Sequence, residues 1–291
     1  KNRTLVDYVK SLYTGTQGTN NIYYHDSNLT NGAGDNSYRY AGASDQVNNY
    51  VCFGTNITPC PTDNLYRIIG VFGDKVKLIK STSVGTKAWN SNGSNTWSTS
   101  SLNSYLNNEF INTFDDTTKG KIADTTWNVG RFSDYKQPAN TVYQNEINSS
   151  PSVNKKIGLM YASDYGFAAA QGAWTANLYD YDDATNANWM YVGLYECTIS
   201  RSADYAYYVF RVESPGNLHD NNADYACGVR PVFNLSSSVN YVSGSGTATD
   251  PILVNWLTDS FEKTSIKPSE NEVNSSTYVE RFASFFELLR C

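Results

Sequence analysis

The chain has 291 residues, a formal net charge of −6 and 40% hydrophobic residues, but only 17% charged ones, where soluble domains average roughly 25%. The acidic balance argues against nucleic acid, whose phosphates call for a basic face, and no apolar run nears the roughly 18–20 residues that span a bilayer. Asn, Ser, Thr and Tyr replace charge, 23 Tyr among them, a composition of exposed or secreted proteins rather than of cytosolic enzymes.

Thr4 ahead of Asp7 reads as a helix start, with Leu5, Tyr8, Val9 and Leu12 on one face and an end near Gly15. Residues 15–49 hold many Gly, Asn, Asp and Ser, so 1–49 reads as a helix and a loop-rich lead-in with brief tyrosine-bearing strands. The main domain is expected over 50–254. Leu65–Phe72 and Lys75–Lys80 form two strands around a Gly73-Asp74 turn. Lysines alternating with apolar residues in the second predict a half-exposed strand. Trp97-Ser98 opens a helix carrying Leu102, Tyr105, Leu106, Phe110 and Phe114 at near-helical spacing. Further strands are expected at Ile157–Ala162, Trp189–Leu194, Tyr205–Val212 and Val229–Leu235. Short antiparallel strands with one or two helices and long loops predict an α+β domain. Residues 255–291 read as a linker and an amphipathic helix, Thr277–Cys291. Its stripe of Tyr278, Phe282, Phe285, Phe286 and Leu289 suits docking on its own domain or self-association.

Five cysteines are present. Cys52–Cys60 and Cys197–Cys227 are the natural disulfide pairs, with four buried thiols as the alternative, and Cys291 is left over. No C-x-x-C spacing occurs and His25 and His219 are the only histidines, so zinc and redox sites are not expected.

Four stretches resemble a family of bacterial surface proteins common in gut Firmicutes and built on a domain of unknown function. They are Asn64-Leu-Tyr-Arg-Ile-Ile-Gly-Val-Phe72, Trp97-Ser-Thr-Ser-Ser-Leu-Asn-Ser-Tyr-Leu-Asn107, Gly228-Val-Arg-Pro-Val-Phe-Asn-Leu235 and Gly244-Ser-Gly-Thr-Ala-Thr-Asp-Pro-Ile252. The last two are the most specific, and together the four cover roughly residues 4–254. The resemblance implies a C-type-lectin-like fold of the formylglycine-generating-enzyme type, and an exported protein at the bacterial cell surface or beyond it. No general activity is established for the family, and the tail 259–291 lies outside its usual pattern.

The fold hosts enzymes, sugar binders and target binders, so function has to come from the residues. The copper-holding cysteine pair of the related oxygenases has no counterpart, because Cys197 and Cys227 stand 30 residues apart. Neither Glu-Pro-Asn, Gln-Pro-Asp nor Trp-Asn-Asp, the calcium-lectin triplets, occurs. Asp180, Asp182, Asp183, Asn186 and Asn188 lack the order of a calcium loop and read as solvated acid. No enzyme and no cofactor is therefore expected. Recognition loops favour Tyr for its large contact area at low entropy cost, and Asn for adaptable hydrogen bonds. Those types gather at Tyr205, Tyr207 and Tyr208 and again at Asn217, His219, Asp220, Asn221, Asn222 and Tyr225. Trp174 and Trp189, flanking the acidic loop, are expected as an exposed aromatic platform beside them. Arg230 is expected to tie the terminal strand to the core. These residues suggest a surface binding or adhesion module for a glycan or a surface protein, or else a structural subunit of a surface filament or layer.

Overall fold

A computed structural model describes residues 3–255. The predicted linker from residue 256 onward, the helix Thr277–Cys291 and Cys291 lie outside the described residues. Within them the chain is mixed α+β, mostly sheet joined by long loops. Six α-helices occur among the described residues: α1 (Leu5–Leu12), α2 (Ser101–Asn108), α3 (Asp116–Lys121), α4 (Ala139–Asn148), α5 (Ala162–Ala168) and α6 (Asp183–Asn186). That exceeds the one or two expected, because most of these helices are short and polar and leave little apolar periodicity to read.

The larger sheet runs Ile157–Gly158, Val232–Leu235, Lys75–Lys80, Leu65–Phe72, Tyr50–Cys52, Ile252–Val254, Tyr241–Ser243. A hairpin of Ile22–His25 and Ser37–Tyr40 joins it through Leu65–Phe72, pairing Tyr38 with Val71 and Arg39 with Gly70. The predicted hairpin forms as read, Phe72 opposite Lys75 across the Gly73-Asp74 turn. Its second strand is not half-exposed, however. Lys77 and Lys80 are both buried, since this strand is interior to the sheet and both of its faces are covered. Thr4 caps α1 by accepting from the Asp7 N–H at 3.0 Å, and Tyr8 stacks on Tyr241 at 3.8 Å.

The second sheet runs Leu218–Asn222, Tyr208–Val212, Glu196–Ser202, Ala226–Gly228, Thr86–Ala88, with Arg131–Phe132 alongside Glu196–Ser202. A separate ribbon pairs Thr125–Asn128 with Ser152–Lys155. All four of the later expected strands change. Ile157–Ala162 shortens to Ile157–Gly158 before α5 begins, Val229–Leu235 starts at Val232, and Trp189–Leu194 forms turns. Tyr205–Val212 becomes a strand only from Tyr208.

Both disulfides are present, Cys52–Cys60 with Cα atoms 5.9 Å apart and Cys197–Cys227 with 5.5 Å. Beside the second, the buried Arg230 donates from Nε to both oxygens of Glu196, at 3.0 and 2.9 Å, and from Nη2 to the Met190 carbonyl. Arg230 thus ties the last strands of the domain to the core. Burial raises the Glu196 carboxyl, and the Arg230 charge pulls it back toward ionisation.

Candidate functional site

The predicted recognition residues meet on one hairpin, but at two places along it. Tyr208–Val212 pairs with Leu218–Asn222, Tyr208 opposite Asn222 and Arg211 opposite His219. Four residues of strand, about 13 Å, separate Tyr208 from the turn that carries Asn217.

At the first end the chain exposes a tyrosine cluster. Tyr205, Tyr207 and Tyr225 are 49%, 47% and 54% exposed. The Tyr205, Tyr207 and Tyr208 rings lie within 4.8–5.7 Å of one another. Asn95, which sequence reasoning missed, holds their loop. Fully buried, it aims Nδ2 at the carbonyls of Ser202, Tyr205 and Tyr208 at 2.8–3.1 Å, and its N–H donates to Ala206 at 2.8 Å. Arg201 in turn donates to the Asn95 carbonyl at 2.7 Å. The loop is therefore fixed by buried bonds while its rings face water. A Tyr207 carbonyl that accepts from Ala223 N–H at 2.8 Å brings the Tyr225 turn alongside.

At the second place, His219 Nδ1 lies 3.0 Å from Asp220 Oδ1, and Tyr135 Oη donates to the same carboxylate oxygen at 3.2 Å. His219 and Asp220, with Asn217 and Asn221, line a shallow depression of about 240 Å³. Asn222 belongs by register to the tyrosine end.

Trp174 and Trp189 form no platform. Trp174 is 0% exposed, donates from Nε1 to the Ala169 carbonyl at 3.0 Å, and packs edge-on to Tyr23 and Phe167. Trp189 is equally buried, bonded to the Tyr40 carbonyl at 2.8 Å and stacked under Arg67, whose guanidinium sits 4.8 Å from its ring. The acidic loop beside them spends its oxygens internally. Asp182 caps α6 through the Ala184 N–H at 2.9 Å, and Asp183 accepts from the Asn188 N–H at 3.2 Å. Among the described residues no group of three or more His, Cys, Asp or Glu is arranged to hold a metal ion.

A second region was invisible in the sequence. A pocket of about 210 Å³ opens between Lys75–Lys80, the Thr125–Asn128 ribbon, α4 and α5. Buried charges form its floor. Lys77 Nζ lies 3.4 and 3.2 Å from the two oxygens of Asp164, and Arg39 Nη1 lies 3.3 Å from the same carboxylate. Arg39 also reaches Asp35 at 2.8 Å. Burial works to raise Asp35, but Arg39 and the Ser37 hydrogen bonds outweigh it and hold the carboxyl well below the usual carboxylate range. Glu146, fully buried on α4, accepts from Ser163 Oγ, from Ser163 N–H at 3.1 Å and from Ser200 Oγ at 2.8 Å. Burial still pushes it up to about 7, and the Asp164 charge adds to the rise. Burial likewise raises the Tyr143 and Tyr161 hydroxyls on the pocket wall, with Asp35 adding to the rise at Tyr143. No local motif announces this set. Arg39, Lys77, Glu146 and Asp164 come from four distant segments.

The architecture defines an α+β domain of two mainly antiparallel sheets, stapled by disulfides, with an exposed tyrosine face and a charged pocket. The chain belongs to the family defined by a domain of unknown function, DUF6273, whose model matches residues 73–237, a little over half of the 291. That match contains the Trp97–Asn107 and Gly228–Leu235 stretches, begins just after Asn64–Phe72 and ends before Gly244. Comparison with curated proteins and with solved structures gave no match.

Proposed function

We propose that this domain is an exported bacterial surface module, C-type-lectin-like in fold, that binds a glycan without catalysing a reaction on it. The observation that carries this reading is the exposure of Tyr205 and Tyr207 beside the half-buried Tyr208, on a loop that Asn95 fixes from beneath, with the exposed Tyr225 on the neighbouring turn. Tyrosine presents an apolar ring for the C–H face of a sugar and a hydroxyl for its rim. A pre-set backbone spares the ligand the entropy of ordering the loop. The two disulfides accord with an oxidising, extracellular compartment, and no helix among the described residues is long and apolar enough to cross a membrane.

The test is a glycan and mucin array probed with labelled protein, with calcium and with a chelator. Calcium-independent hits, lost in Tyr207→Ala and Tyr225→Ala variants of unchanged circular dichroism, are the expected result. Calcium-dependent hits that survive both substitutions would move recognition to the Asp180–Asn188 loop. No hits on any glycan would overturn the sugar reading. Light scattering on the chain with and without residues 259–291 then asks whether it is a self-assembling surface subunit, which assembly lost on truncation would establish.

A further inference from the structure

The two places on the recognition hairpin share one face of the second sheet. Side chains two apart on a strand point the same way, so Tyr208 and Phe210 lie on that face beside their partners Asn222 and Asp220. Phe210 is buried there with the Tyr135 ring 4.9 Å away. Tyr135 in turn donates its hydroxyl to Asp220 Oδ1 and meets Tyr179 edge-on at 6.3 Å. Tyr179 is exposed, and its ring lies 5.4 Å from that of His219. Asn222 and His219 are three strand residues apart, about 10 Å. The exposed tyrosines at the two ends therefore stand farther apart than one sugar ring reaches.

The polar groups between those ends are unspent. Asp220 Oδ1 serves Tyr135 and His219, while Oδ2 takes no hydrogen bond among the described residues. The Asn222 backbone N–H is bonded to Asn221 Oδ1, but its side-chain amide bonds nothing among the described residues. Both side chains are half-buried and reach solvent. At the Tyr179 end the exposed Lys136 ammonium lies 4.6 Å over the ring and meets no carboxylate within ion-pair distance among the described residues. An amide, a carboxylate oxygen and an ammonium thus stand in a row between two aromatic ends, which matches a chain of hydroxyl-bearing rings. Asp220 at the centre accepts hydroxyls and repels an anionic substituent, so the ring above it is uncharged.

We propose that this strip reads at least three consecutive rings of a linear, neutral oligosaccharide, with Tyr205 and Tyr207 under one end, Asn222 and Asp220 beneath the middle and Tyr179 under the other. The inference rests on the glycan reading of the tyrosine cluster and names the form of glycan that it takes.

The test is a length series on the full chain. Linear oligomers of glucose, of N-acetylglucosamine and of alternating galactose and N-acetylglucosamine, one to six rings long, are printed beside branched and anionic glycans, and those held are titrated in solution. Affinity should rise about tenfold from two rings to three, the worth of one further aromatic contact. Tyr179→Ala, at an exposed position, should return three-ring ligands to two-ring affinity and leave shorter ones within about twofold. Tyr207→Ala should weaken every length, and circular dichroism checks that both variants keep the fold. If one or two rings bind as tightly as three, or if Tyr179→Ala changes nothing at any length, this inference falls and the tyrosine cluster stands as a smaller site. Binding to branched or anionic glycans alone overturns it as well. If no glycan of any length or kind is held, the tyrosine reading falls and takes this inference with it.

Discussion

Glu146→Gln isolates one buried carboxyl and reads its proton directly. In the folded chain Glu146 is surrounded by Ser163, Ser200 and Asp164, and burial places its titration near pH 7 rather than at the usual 4.5. Between those values the folded state keeps a proton that the unfolded chain has lost. Stability from this group is complete below about pH 4.5, falls as pH rises toward 7, and changes no further once both states are ionised. At about 1.4 kcal/mol per tenfold change in proton activity, the interval is worth about 3 kcal/mol. Glutamine cannot ionise, yet it can keep the pattern. Its carbonyl accepts from Ser163 N–H and Ser200 Oγ, and its amide donates to Ser163 Oγ. The variant should match wild type near pH 4.5 and exceed it by about 3 kcal/mol above pH 7. His25 works in the opposite sense. Burial, and then Arg39, hold it neutral well below 6.5, so its contribution is lost as pH falls below the unfolded value. Both proteins share that loss, and the difference between them cancels it. Urea titrations from about pH 5 to about pH 8, followed by the fluorescence of the buried tryptophans, measure the gap. A gap that stays constant across the series would refute the reasoning, because Glu146 would then be ionised throughout.

Two further predictions concern packing. Gly70 lies opposite Arg39 in the sheet, and a Cβ there would stand 2.3 Å from the Tyr38 carbonyl oxygen. Gly70→Ala should therefore cost about 3 kcal/mol in urea unfolding and speed amide exchange at Tyr38 and Arg39, while unchanged exchange would show that the strands do not meet there. Trp174→Ala should cost about 3–5 kcal/mol as a core truncation and leave glycan binding by the folded protein intact, whereas lost binding at wild-type stability would place Trp174 at the ligand.

The parts of the fold legible in the sequence are those set by neighbours along the chain. The Leu65–Lys80 hairpin follows from two β-rich runs around Gly73-Asp74, α1 from a cap and an apolar stripe, and α2 from the spacing after Trp97. The eight-residue separation of Cys52 and Cys60 marks a closed loop. The tyrosine cluster is legible in the same way, because Tyr205, Tyr207 and Tyr208 fall within four residues of one another along the chain. Its rigidity is not, since Asn95 lies more than a hundred residues upstream.

Tertiary structure alone decided which polar and aromatic residues are inside. Lys77 sits at a period-two position that reads as solvent-facing, and becomes internal only because Asp164, 87 residues on, meets its ammonium. Glu146 lies on a helix whose ten residues, Ala139–Asn148, are mostly polar and give little apolar pattern. Trp174 and Trp189 flank an acidic loop in the chain, but their ring faces are taken by Tyr23, Phe167 and the Arg67 guanidinium. Local pattern determines where a chain turns and pairs with its near neighbours. A buried charge, by contrast, is stable only where its counter-charge arrives from elsewhere in the fold, so the pocket exists only once four distant segments have come together.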